Sequence, residues 1–241
     1  MIRMIHDSSK WSVLLLLVAL PLYAQTAKDV GKKGFPSVVL LVMEDSNGQP
    51  LSLGSGFFVR PGLIATNRHV IEGATRGYSK LVGEKEKHEI LGFTAIDEKH
   101  DLVLLSIQYS KPPTLHVADN RQPDIGEPVF VIGNPMGLEG TLSEGIISGI
   151  RSFEEDTLLQ ITAPISPGSS GGPVLNGNGE VIGVAVATFR GGQNLNFAIP
   201  SRYLTLLVSE MKPLAALSTQ KKVQSTSSGH FGGKSSDGVI G

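Results

Sequence analysis

From residue 37 to residue 199 the chain is cut into about a dozen short apolar runs, each closed within a few residues by glycine, proline or an Asn/Asp-Gly pair. The runs lie at 37–43, 56–59, 63–66, 88–96, 101–108, 128–133, 140–150, 157–161, 172–175, 181–188 and 194–199. Stretches this short, rich in Val, Ile and Leu, suit strands and leave no room for long helices. Asp45-Ser46-Asn47-Gly48 closes the first run, and Asn176-Gly177-Asn178-Gly179 separates two later ones as a hairpin turn. One helix is expected, at the end: Pro200-Ser201 opens it, and Tyr203, Leu207, Met211 and Leu214 recur at helical spacing. Many strands and one terminal helix predict an all-β barrel or sandwich. The polar, proline-marked stretch at 111–123 is the expected boundary between two halves.

The two ends read differently. Arg3 and Lys10 precede an apolar stretch centred on Leu14-Leu15-Leu16-Leu17, and Tyr23-Ala24-Gln25 offers a cleavage point after Ala24, so residues 1–24 read as a secretory signal. The alternative is an uncleaved anchor, because Leu22 is bulky two positions before the cut. Pro21 and Gln25-Thr26 interrupt the run before it reaches the about 20 residues of a bilayer span, so no stable membrane insertion is expected after cleavage. Residues 218–241, rich in Ser, Gly and Lys, read as a disordered tail. Between them, residues 25–217 hold sixteen basic and twenty acidic residues, net −4, which offers no footprint for nucleic acid. With no cysteine, disulfides and thiolate metal sites are excluded, and no histidine pair has the spacing of a helical zinc site, so no metal is expected. An exported chain of this composition, periplasmic or secreted, must be held by its core alone.

Chemistry concentrates in three segments. Gly168-Ser169-Ser170-Gly171-Gly172-Pro173 places a serine among glycines able to take conformations closed to other residues. Such a turn is either a plain connection or one that points successive backbone N–H groups inward to hold an oxyanion. Gly168 to Gly172 also fits the G-x-S-x-G elbow of α/β hydrolases, but there the base follows the nucleophile, and only His230 of the tail follows Ser170. The order His, Asp, Ser remains open. His69 stands at the end of an apolar strand beside small Ala65 and Thr66. His88 falls in the charge run 84–89, read as a solvated hairpin, while His100 and His116 read as surface residues. Asp101 opens the buried run Asp-Leu-Val-Leu-Leu, with Asp97 as its competitor.

Gly54-Ser55-Gly56-Phe57-Phe58-Val59, Thr66-Asn67-Arg68-His69-Val70-Ile71, Asp101-Leu102-Val103-Leu104-Leu105, Gly133-Asn134-Pro135-Met136-Gly137, Pro167-Gly168-Ser169-Ser170-Gly171-Gly172-Pro173 and Phe197-Ala198-Ile199-Pro200 resemble, in order, the signatures of the HtrA/Deg-type trypsin-like serine proteases. The resemblance implies two six-stranded antiparallel β-barrels of chymotrypsin-like fold with a C-terminal helix. It implies His69, Asp101 and Ser170 as catalytic triad, Asp101 being preferred to Asp97 because the family's acid directly precedes such an apolar run. The N–H groups of Gly168 and Ser170 would form the oxyanion hole, and Val186, Ala187 and Thr188 the strand that pairs with an extended substrate. The activity implied is hydrolysis of peptide bonds in unfolded or damaged polypeptides, without a cofactor; the alternative is a latent relative that binds exposed segments as a chaperone or adaptor.

Departures from the family pattern are Ser169 where Asn is usual before the nucleophile, and Thr162 and Pro164 for the usual Asp and Ala. Residues 218–241 are too few for the PDZ domain that family members often carry, so none is expected here. The family often forms homotrimers, an expectation resting on the resemblance alone.

Overall fold

The computed structural model describes residues 26–109, 111–118, 122–153, 156–186 and 196–219. Helix α1 (Ala27–Gly34) leads into β1 (Val38–Glu44), β2 (Pro50–Arg60), β3 (Leu63–Asn67), β4 (Arg76–Leu81), β5 (His88–Asp97) and β6 (Leu102–Ile107). The second half holds β7 (Pro128–Gly133), β8 (Thr141–Phe153), β9 (Asp156–Ile161), β10 (Pro173–Leu175), β11 (Val181–Val186) and β12 (Asn196–Pro200), followed by α2 (Ser201–Ser209). Each half closes into a six-stranded antiparallel barrel, in the orders β1-β2-β3-β6-β5-β4 and β10-β11-β12-β9-β8-β7.

Continuous rather than alternating apolar runs follow from this architecture, because many strands are buried on both faces. Phe58 and Leu105 point into the first barrel, while their neighbours Phe57 and Leu104 point outward into a core shared with Ile132, Leu175 and Val184 of the second. Both phenylalanines are fully buried. Each contributes roughly 2 to 3 kcal/mol of burial, and Phe57 spends it on the seam that fixes one barrel against the other. The connecting chain is stitched to both halves: Leu115 N–H donates to Phe58 O at 2.9 Å and Val181 N–H to His116 O at 2.8 Å.

Four features differ from the sequence reading. Helix α1 was not expected; Thr26 and Asp29 form its capping box, and Val30 is its buried anchor. Strand β4 was missed because its inward residues include Gly77 and Ser79, which carry no apolar signal; a Cβ at Gly77 would stand 2.7 Å from Val42 O. The terminal helix stops at Ser209, so Met211 and Leu214 lie outside it and are exposed. Pro213 follows, and Lys212 N–H turns instead to Thr94 O at 2.7 Å on β5. Ser218 and Thr219, read as the start of the tail, complete a 3-10 turn whose Leu217 is buried. The expected signal and the remainder of the tail lie outside the described residues.

Candidate active site

Strand β3 carries the chain to Asn67, and a 3-10 turn (Arg68–Ile71) then presents His69 at the mouth of the seam. Its Nδ1 lies 2.6 Å from Asp101 Oδ2, and its backbone N–H donates to Asp101 Oδ1 at 2.8 Å. Both carboxylate oxygens therefore hold one residue, ring and main chain together. With the Nδ1 proton shared with the carboxylate, Nε2 is left as the ring's acceptor.

Asp101 sits in the β5–β6 turn at φ +54°, a left-handed conformation uncommon for residues other than glycine. Its carbonyl accepts from Arg68 N–H at 3.0 Å and from Asn67 Nδ2 at 3.1 Å, so the strained backbone is held by the segment it serves. Asp97 faces elsewhere: its Oδ2 lies 2.5 Å from His100 Nδ1. The surface reading of His100 is corrected here. Its Nε2 reaches Asp156 Oδ1 at 3.0 Å on the second barrel, and its ring stacks on Tyr203 at 3.8 Å between centroids. The solvated-hairpin reading of His88 is also corrected: it is buried, edge-on to Tyr109, because β5 begins with it on the inward face.

Ser170 is buried in the loop before β10, with its carbonyl accepting from Ser55 N–H at 2.8 Å. Two positions in this loop take the left-handed conformation that favours glycine. At Gly168 (φ +95°) a Cβ would stand 2.6 Å from Asn134 O, and at Gly171 (φ +83°) 2.1 Å from Thr66 Oγ1. Gly171 thus packs against the strand end that leads into His69, which brings the serine loop and the histidine turn to one junction of the barrels. On its other side Gly171 N–H donates to Ala185 O at 2.9 Å, docking the loop on β11.

The peptide joining Pro167 to Gly168 has a defined orientation. Met136 N–H donates to Pro167 O at 2.8 Å. In a trans peptide the N–H lies on the opposite edge from the carbonyl, so Gly168 N–H is turned away from Met136. It makes no hydrogen bond among the described residues. Met136 itself is held at φ +52°.

Ser55 and Asn134 lie within motifs quoted above, yet no role was read for them. The Ser55 hydroxyl donates to Gly168 O at 2.7 Å and accepts from Asn134 N–H at 2.9 Å; Asn134 Nδ2 donates to Val39 O at 2.9 Å. Nothing in the sequence announces this network, because its members are brought together only by barrel packing. Val186 ends β11, opposite Phe197 of β12, whereas Ala187 and Thr188 lie outside the described residues. Among the described residues no helix is long and apolar enough to cross a membrane.

Residues 54–184 match the trypsin-like peptidase domain. A protein of Chlamydia trachomatis called probable periplasmic serine endoprotease DegP-like is 39% identical over 170 residues, covering 66% of this chain and 33% of that one. The chain spans about a third of the length of the curated relatives it matches. Among solved structures, the serine endoprotease from Yersinia pestis superposes with a TM-score of 0.69 at 31% identity, over 76% of this chain and 65% of that one. The HtrA-type protease AlgW, solved with a tripeptide, gives 0.70 at 25% identity over 76% and 62%.

Proposed function

The chain belongs to the trypsin-like peptidase family, among its HtrA/Deg-type members, and from that premise we propose that it is an exported serine endopeptidase of unfolded polypeptides. The observation that carries the reading is the orientation of the Pro167–Gly168 peptide, whose N–H is turned away from Met136 and has no partner among the described residues. A latent protease would have this donor turned away or occupied. In this reading the donor is left for a developing oxyanion.

In this reading Ser170 Oγ attacks the scissile carbonyl carbon. The Oγ–C bond forms, the carbonyl electrons move to oxygen, and His69 Nε2 takes the serine proton. Asp101 holds the imidazole through Nδ1 at 2.6 Å and stabilises the imidazolium. Gly168 and Ser170 N–H groups receive the oxyanion, a single such donor being worth about 10² to 10³ in kcat. Collapse breaks the C–N bond, and His69 returns the proton to the leaving amine. Water then repeats the sequence on the acyl-enzyme and releases a carboxylic acid. No metal or cofactor is needed for any step.

The substrate would add as a strand at the end of β11, at Val186. The relatives' names, which place them in the periplasm, support an exported location. The test is labelling by a fluorophosphonate and cleavage of unfolded casein, by the protein and by its Ser170→Ala variant. Labelling and cleavage by the first alone are expected; a folded protein that does neither would leave the adaptor reading in its place.

A further inference from the structure

Beside Gly168 the surface opens into a cleft of about 360 Å³. One wall is the start of β2, Pro50 to Leu53; the other is Met136, Pro167 and Gly168. No lining residue is ionisable. Its apolar side chains are open to solvent: Met136 is 80% exposed, Leu51 49% and Leu53 44%. Exposed side chains of this size gathered around one hollow mark a binding surface rather than stray surface leucines.

The cleft's place relative to the nucleophile says what it would hold. The serine loop docks on β11 at Gly171 and borders this cleft at Gly168. His69 neighbours the cleft's β2 wall, to which Ser52 belongs. The turn that carries it packs on β2, where the Ser52 hydroxyl donates to Val70 O and a Cβ at Gly54 would stand 2.5 Å from Val70 Cγ1. A leaving amine must depart beside the imidazole that protonates it. A chain leaving beside His69 would then pass over Gly168 between the walls.

Resting on the peptidase reading above, we propose that this cleft is a leaving-side subsite that takes large apolar side chains from the residues immediately after the scissile bond. Leu51, Leu53 and Met136 set its preference, and a charged side chain there finds no partner and loses water. In folded proteins such apolar residues are mostly buried. The subsite thus selects unfolded chains by the part of the substrate that leaves first.

The test reads the products of casein, unfolded in advance, by mass spectrometry, with fluorophosphonate labelling run alongside. In wild type, Leu, Ile, Phe and Met are expected to be enriched over Asp and Glu at the first two positions after the cut by about tenfold, the scale of one side chain in an apolar pocket. In Leu51→Lys, and separately in Leu53→Lys, the enrichment should move toward Asp and Glu. Both side chains are part-exposed in wild type, and thermal melts confirm that each variant folds. A labelled, active wild type with a flat leaving-side profile, or variants that keep the wild-type profile, overturns the subsite and leaves the peptidase reading standing. Absence of both labelling and products removes the two together. If instead the lysine variants change the size of the particle in sedimentation while the cleavage profile stays fixed, the face joins copies of this chain and the subsite is wrong.

Discussion

The Ser55 hydroxyl on the first barrel donates to the Gly168 carbonyl in the serine loop of the second at 2.7 Å, and so ties the oxyanion segment across the seam. Asn134 completes the arrangement by donating its N–H to the same hydroxyl at 2.9 Å. One side chain thus holds two segments that both border the proposed oxyanion hole.

Ser55→Ala removes that tie and leaves two buried polar groups short of a partner, a cost of about 1 to 3 kcal/mol. If the tie steadies the Gly168 peptide, kcat should fall about tenfold or more with KM nearly unchanged, and acylation by a fluorophosphonate should slow in step. A variant that melts lower yet keeps wild-type kcat would show Ser55 to be structural only.

Asp101→Asn isolates charge from backbone. Asparagine tolerates the left-handed conformation at φ +54° as aspartate does, so the turn and its carbonyl bonds to Asn67 and Arg68 should persist. The amide would hold the His69 ring but favour the wrong tautomer. The same exchange in a well-studied serine protease costs about 10⁴ in kcat, and a loss of that order is expected here with little change in melting temperature. Activity within tenfold of wild type would remove Asp101 from the triad.

The fold class was legible because burial on both strand faces leaves unbroken apolar runs, such as Leu102 to Leu105, that survive without knowledge of tertiary structure. The pairing of His69 with Asp101 was approachable for a related reason: both stand at strand ends, where a short local pattern announces them. What stayed hidden depends on packing across the seam. Small inward residues masked β4; Ser55 and Asn134 have nothing in their spacing that signals a shared hydroxyl. His88 and His100 looked like surface residues because a charge-rich neighbourhood in sequence says little about which face turns inward.

Gly171→Ala should be far more damaging than an ordinary loop substitution. The new Cβ would meet Thr66 Oγ1 at 2.1 Å and Ser55 O at 2.3 Å, and alanine is strained at φ +83°. Relief requires the serine loop to draw away from β2 and β3, and with it Ser170 from His69. Expected outcomes are a destabilisation of about 2 kcal/mol or more in urea and loss of labelling even in the fraction that stays folded. Gly177→Ala, where the added carbon meets nothing within 4 Å, is the control. Equal effects of the two would mean that the contact with Thr66 does not position the loop.

The His100 cluster links the barrels through charge and so predicts an acid-side weakness. Burial pushes the Asp156 carboxyl up, but the hydrogen bonds and charges of Lys99 and His100 outweigh it and hold the group below its ordinary value of 3.8. A carboxylate lowered in the folded state stabilises the protein above the unfolded value; that contribution falls away as pH drops toward and through the folded value. Wild type should therefore lose part of the link between β9 and the β5–β6 turn progressively as pH falls below about 5. Asp156→Asn lacks this titration. It should melt about 1 to 3 °C lower than wild type at pH 7, a modest effect because the group is a third exposed, and the gap should narrow as pH falls below the ordinary value of 3.8 and through the folded one. Melting curves that stay parallel across that range would show that the Asp156 contacts with Lys99 and His100 carry no net stabilising charge.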